Sequence, residues 1–212
     1  MKPLPRGRHG LSREFIAENQ RERLLAAIAD SLEEHGYDGT TVAAISSRAG
    51  VSKSDFYQHF GSKDECFLCA YDEAVKRLRA DVLSACASED EWAAGICAGL
   101  GAALGGLAAE PGQANLLLVE GLRAGPGVYG RFQGAVESFV PYLRYGAPAG
   151  TSAGRPPEAA DEAVVGGIAS LLGRRVLAGE TSSLRQFFPE LAEFALTPYL
   201  GVAEARRIIS AR

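Results

Sequence analysis

The stretch TTVAAISSRAGVSKSDFYQHFGSK, residues 40–63, leaves little choice of fold. Val42, Ile45 and Ala49 recur three and four apart, which lines one face of a short helix opening at Thr40, a good N-cap residue. Gly50 ends that helix, because glycine enters left-handed backbone without a Cβ penalty, and Val51 after it packs into the corner between two helices. Ser52 caps a second short helix over 53–60, whose Phe56 and Phe60 sit four apart and face the core. Lys53, Ser54, Tyr57 and Gln58 are left facing outwards. A rigid short helix with basic, hydroxyl and amide groups near its N-terminus is what a DNA major groove accommodates. The pattern is a helix-turn-helix.

Helical patterning continues on both sides. Residues 12–35, with Ser12 as N-cap and Leu25, Ile28, Ala29 and Leu32 at helical offsets, form a first long helix that Gly36 stops. It covers the apolar backs of the two short helices, so Phe56 and Phe60 are structural residues first, and Tyr37 joins their core. Residues 1–11, MKPLPRGRHGL, are an arm without apolar period, either a solvated tail or a minor-groove reader whose arginines follow the concentrated negative potential. The chain's net charge of −4 gives no overall basic signal. Yet residues 1–63 hold nine basic against eight acidic side chains and 64–212 hold thirteen against eighteen, so the acidity belongs to the second stretch.

Residues 64–87 run without a breaker, a helix about 36 Å long at 1.5 Å per residue, and can carry motion from the DNA-reading module into the next domain. Helices follow over 91–109, 112–124 and 127–145, then a Gly- and Pro-rich surface loop over 146–157, then helices over 159–178 and 184–200. Residues 92–109 carry no charge and are long enough to suggest a membrane span. They are mostly Ala and Gly, however, with Gly95/Gly99 and Gly101/Gly105 at close-contact spacing, so a buried core helix is expected and no membrane. Cysteines 66, 69, 86 and 97 lie in helical patterns with no secretory signal ahead, which favours reduced thiols in a cytoplasm. The C-x-x-C at 66–69 has no second Cys/His pair at zinc spacing, and no metal or cofactor is expected. The three histidines lie at 9, 35 and 59, and no Ser/His/Asp constellation or phosphate loop appears, so the chain does not read as an enzyme.

Residues 40–63 resemble the TetR/AcrR family of bacterial transcriptional regulators, in which TT-x-x-x-I…AGVS-x-x-x-FY-x-HF-x-x-K recurs. Here the Phe56-Tyr57 pair, His59-Phe60 and Lys63 stand at the matching places. The resemblance covers residues 12–65, and more weakly the C-terminal pattern LRQFFPELAEFALTPYLG. It implies an all-α chain: a flexible basic arm at 1–11, a three-helix helix-turn-helix DNA-binding domain at 12–63, and a larger helical ligand-binding and dimerisation domain at 64–212. By chemistry, Lys53, Ser54 and Gln58 suit base edges, since Lys donates to guanine acceptors and an amide pairs with adenine. By resemblance, Thr41, Tyr57, His59 and Lys63 contact phosphates while Thr40 caps the helix behind them. Asp55 departs from the family, which has a small or hydroxyl residue there; it either accepts from a cytosine amino group or stabilises its own helix N-terminus.

In the family the central helices hold a small-molecule pocket, here with Trp92, Ile96, Leu100, Leu117, Phe132 and Phe139 as wall candidates and Glu120 and Arg123 as polar orienters. Two apolar helices at the chain's end suggest a surface for a second copy, and the resemblance implies that they pair into a four-helix bundle. The candidates are Val164, Ile168, Leu171, Leu172 and Arg175, then Leu184, Phe187, Phe188, Leu191 and Phe194. The alternative is one enlarged monomeric core. A homodimer would place two reading helices about one duplex turn apart, on a pseudo-palindrome. The function expected is a sequence-specific transcriptional regulator of the bacterial cytoplasm and nucleoid, by family default a repressor released from a palindromic operator by a small hydrophobic ligand. A ligand-independent or nucleoid-type DNA binder would carry the same helix-turn-helix.

Overall fold

The computed structural model describes residues 12–123, 126–148 and 156–211, and every regular element among them is helical. The basic arm at 1–11 and the centre of the expected loop, 149–155, lie outside the described residues. The chain divides into two compact units, Met1–Glu73 and Ala74–Arg212.

The first unit begins with α1, Arg13–Gly39. Ser12 caps it by accepting from the Phe15 N–H at 3.1 Å. Gly36 stops the long regular helix, as the spacing suggested: its backbone takes a positive φ (φ 65°, ψ 178°), and a separate short turn follows across this kink to Gly39. Helix α2, Val42–Ala49, ends at Gly50 in left-handed backbone, φ 63°. There the Val51 N–H reaches the Ser46 carbonyl and the Gly50 N–H the Ser47 carbonyl, which satisfies the helix's last acceptors. Helix α3, Lys53–His59, is capped by Ser52, whose Oγ accepts from the Asp55 N–H at 3.0 Å. Helix α4, Lys63–Ala87, opens with a reciprocal cap: Ser62 accepts from the Glu65 N–H at 3.1 Å and Glu65 accepts from the Gly61 N–H at 2.7 Å. Ser62-x-x-Glu65 was a readable signal for that start. Leu24, Ile28, Leu32, Ile45, Phe56, Phe60 and Phe67 are buried and form the unit's core.

In the second unit α5, Trp92–Ala109, packs against α10, Phe188–Leu200, and against the 3₁₀ segment Thr181–Phe187 before it. Pro189 has no N–H to donate and sits in the first turn of α10, so the expected single helix over 184–200 is split there. A further helix, α11 (Val202–Ser210), follows Gly201; its apolar residues Val202, Ala205, Ile208 and Ile209 carried the helical period. Between them the chain forms α6, Pro111–Asn115, a π-helical segment Leu116–Glu120, the short α7, Gly121–Arg123, then α8, Pro126–Arg144, and α9, Glu158–Leu177.

Glycines set the closest approaches. A Cβ on Gly99 would stand 2.5 Å from the Cys86 Sγ, and one on Gly95 3.1 Å from the Cys86 carbonyl oxygen. The pair is thus used for a close helix contact within the domain, with Cys97, Leu100, Leu104 and Leu107 of the same helix buried. Among the described residues α5 is the one helix long and apolar enough to cross a membrane, and 33% of it is buried.

A polar cluster joins four of these helices. Asp161 on α9 is 1% exposed, and its two carboxylate oxygens accept from Arg144 Nε on α8 and from the Tyr199 hydroxyl on α10. Trp92 on α5 meets the Tyr199 ring edge-on at 5.1 Å and donates from Nε1 to the Leu143 carbonyl at 3.1 Å. A buried carboxylate is tolerated only when paired and hydrogen-bonded in this way.

Helix α9 crosses the π segment so closely that a Cβ on Gly173 would lie 2.7 Å from the Leu118 carbonyl oxygen, an atom that cannot swing aside. Gly134, exposed on α8, has no neighbour within 4 Å. Gly173→Ala is therefore expected to destabilise the protein by about 1–3 kcal/mol. Gly134→Ala should stabilise it by about 0.5–1 kcal/mol through unfolded-chain entropy. Denaturant titration of both variants against the parent checks the opposite signs.

Candidate nucleic-acid interface

The outward face of α3 is built by what its inner face needs. Phe56 and Phe60 are buried and in contact with each other, ring centroids 5.7 Å apart. Arg21 of α1 lies over the Phe60 ring at 5.6 Å. With that face held, Lys53, Ser54 and Gln58 are exposed and Tyr57 is 57% exposed, its ring braced edge-on against Phe56 at 5.4 Å. The structure thus brings together an ammonium, a hydroxyl, a phenol and an amide on one short helix. Asp55 is half-buried in the first turn, where a carboxylate faces the positive end of the helix dipole.

At the start of α2 the cap role expected of Thr40 falls to its neighbour Thr41. Thr41, not Thr40, caps α2: its backbone is extended (φ −123°, ψ 155°) and its Oγ1 accepts from the Ala44 N–H at 3.2 Å. Thr40 is buried, and its hydroxyl donates to the Gly36 carbonyl at 2.7 Å, closing the end of α1. A hydroxyl so occupied and so covered is a structural group. Thr41 remains exposed.

His59 is half-buried, with Nε2 3.3 Å from Gln20 Oε1 of α1. Lys63 is half-buried too. Its Nζ donates to the Tyr37 carbonyl at 2.8 Å and lies 4.1 Å from the centroid of the Tyr37 ring. The Tyr37 hydroxyl donates to Asp64 Oδ1, and its ring meets Phe67 edge-on at 5.3 Å. Burial, then the bond to the Asp64 carboxylate, pushes the Tyr37 phenol well above its ordinary value, so it stays a donor at any physiological pH. Arg48 of α2 pairs with Glu34 of α1, which holds the Glu34 carboxyl below its usual range and ties the two helices together.

The other candidates are spread through the second unit. Trp92 and Ile96 pack on the cluster of Leu143, Val164, Ala195 and Tyr199. Leu100 and Leu117 are buried, and Glu120 is buried in the π segment. Phe132 and Phe139 are half-buried on α8, Phe139 edge-on to Tyr142, and Arg123 is exposed. An open groove of about 530 Å³ beside α8 and α9 is lined by other residues: Val140, Pro141, Arg144, Tyr145, Glu158 and Glu162. Of the candidates for a second-copy surface, Val164, Leu172, Leu184 and Leu191 are buried within their own chain. Ile168, Phe187 and Phe188 are half-buried, Arg175 is exposed and stacks on Phe187 at 4.1 Å, and Leu171 and Phe194 are 38% and 41% exposed. Leu177, not singled out by the pattern, is 63% exposed.

Residues 24–70 match the family model for bacterial regulatory proteins of the tetR family. The HTH-type transcriptional repressor AcnR of Corynebacterium glutamicum is 35% identical over 66 residues, 31% of this chain and 35% of that protein. The HTH-type transcriptional activator FasR of Mycolicibacterium smegmatis is 33% identical over 81 residues, 38% of this chain and 37% of that one. The chain thus spans about a third of the length of the curated relatives it matches. Among solved structures, the fatty acid degradation regulator FadR of Bacillus halodurans superposes with a TM-score of 0.75 over 84% of this chain and 94% of that one, at 15% identity. The transcriptional regulator FadR of Bacillus subtilis in complex with stearoyl-CoA gives 0.72 over 84% and 98%, at 13% identity. At such identities the likeness is one of fold.

All four cysteines are thiols, and among the described residues no group of three metal-ligating side chains forms. Cys66 and Cys97 are buried, and burial pushes the Cys66 thiol up to about 12. The thiolate is the reactive form, and burial also raises the Cys86 thiol, whose Sγ packs against Gly99, so a thiol reagent at pH 8 should label half-buried Cys69 first on the folded protein and spare Cys66 and Cys97 until denaturant is added. Mass mapping of the labelled peptides checks this, and rapid labelling of Cys66 in the folded state would contradict it.

Proposed function

We propose that this chain, whose N-terminal unit belongs to the tetR family of bacterial regulatory proteins, is a sequence-specific DNA-binding transcriptional regulator of the bacterial cytoplasm and nucleoid. Its default action is that of a repressor released from a palindromic operator by a small apolar ligand. The observation that carries this reading is the α3 face: Lys53, Ser54, Tyr57 and Gln58 outward, with Phe56 and Phe60 locking the helix from behind.

In this mechanism α3 enters the major groove. Lys53, Ser54 and Gln58 bond base edges, while Thr41, Tyr57, His59 and Lys63 bond phosphates and set the register. One seven-residue helix makes too few contacts for selectivity, so a homodimer supplies a second. Leu171, Leu177 and Phe194 are the exposed apolar groups of α9 and α10 that a second copy would cover. The arm at 1–11 and the domain limits at 63 and 64 belong to the same reading. A ligand in the second unit acts by binding one conformer more tightly than another, a coupling of about 1–3 kcal/mol in typical cases. The Bacillus subtilis FadR structure holds stearoyl-CoA, whose acyl chain is apolar but whose CoA head is large and charged, so free long-chain fatty acids and stearoyl-CoA are tested side by side.

Lys53→Ala is expected to relax discrimination at one base position by about 1–3 kcal/mol. Tyr57→Phe should weaken binding across all sequences alike. Both are read by titrating matched and mismatched duplexes recovered by selection from a random library; equal losses for Lys53→Ala on both would refute its role. Separately, Phe194→Glu should shift the protein from dimer to monomer in sedimentation equilibrium, because it places a charge where apolar surface must be covered.

A further inference from the structure

We infer that Tyr37 is a positioning residue for DNA binding: through its backbone carbonyl and ring face it holds the Lys63 ammonium in place to meet a backbone phosphate, without touching DNA itself. The inference rests on the proposed DNA-binding function and deepens it.

Lys63 is the first residue of α4, and a lysine there would ordinarily sweep a wide volume on its flexible four-carbon stem. Here the Nζ is fixed by two features of one residue, the Tyr37 carbonyl at 2.8 Å and the Tyr37 ring centroid at 4.1 Å. Cation–π attraction and a charge-assisted hydrogen bond act on the same atom. A single carbonyl uses one of an ammonium's three N–H groups, so the contact anchors the charge without using up its donors. The ring is in turn fixed at both ends. Its hydroxyl donates to the carboxylate of Asp64, the next residue of α4, and its edge meets Phe67 one turn further on. Tyr37 follows the left-handed break at Gly36, and that break turns its carbonyl and ring towards the start of α4 rather than along α1. A charge already ordered in the free protein costs less to order on the duplex.

The test is a double-mutant cycle on the full chain, with affinity measured against salt concentration on a duplex enriched by the wild-type protein from a random library. Lys63→Ala should lower the slope of log affinity against log salt by about 0.9, the signature of one lost phosphate contact. Tyr37→Leu should weaken binding on the order of three- to tenfold and lower the slope in the same direction. In the Lys63→Ala background, Tyr37→Leu should cost nothing further. Tyr37→Phe keeps the ring and carbonyl but releases Asp64, and should give a smaller loss that also vanishes in that background; it serves if the leucine variant fails to fold. The same fold-loss in both backgrounds, no loss from either tyrosine variant, or an unchanged slope for Lys63→Ala would overturn the inference and leave the DNA-binding function standing. Enrichment of no duplex by the wild type would overturn that function, and this inference with it.

Discussion

A seven-residue helix does not persist in water alone, since nucleation costs more than so few hydrogen bonds return. Helix α3 exists because Phe56 and Phe60 are buried, a contribution of about 3–5 kcal/mol for each large aromatic side chain removed from a core. Everything proposed for its outer face depends on that inner one. The caps at Thr41, Ser52 and Ser62 and the left-handed glycine at 50 then fix where each helix begins and turns. Together they leave the helix one orientation within its unit. A reading head must be rigid before its side chains can discriminate.

The second unit is held by a different device. Its helices carry many small residues, so they approach until backbone and sulfur atoms touch, as at Gly95, Gly99 and Gly173. Close packing of this kind has no slack. The buried Asp161 adds a directional constraint that apolar packing lacks, because its oxygens demand both Arg144 and Tyr199. Helices α8, α9 and α10 thereby share one register point. The π-helical stretch at Leu116–Glu120 lies beneath α9, and such widened turns often accompany functional sites.

Both a repressor and an activator stand among the relatives that this chain matches over part of their length. The α3 surface determines where a regulator binds. Under the proposed function, the effect on transcription would depend on the position of the operator relative to a promoter, and ligand control on which conformer fits the groove spacing.

The helix-turn-helix was legible from sequence because its signals are local: a cap, a glycine and two aromatics within a few residues of one another. The all-α class was legible for the same reason, and α11 at Val202–Ser210 carries the same local signal in the helical period of Val202, Ala205, Ile208 and Ile209. The choice between Thr40 and Thr41 as cap turned on backbone angles that adjacent, equally good cap residues do not reveal. Tertiary structure alone decided the rest. Helical period shows that α9 and α10 have apolar faces, but burial is non-directional, so it could not separate Leu184, wholly inside, from Phe194, 41% exposed. The partners of Asp161 stand 17 and 38 residues away, and Tyr37, which holds the Lys63 ammonium, is 26 residues earlier, so neither pairing leaves a local signal. Sequence reads interactions between near neighbours; pairings across such distances exist only once the chain has closed on itself.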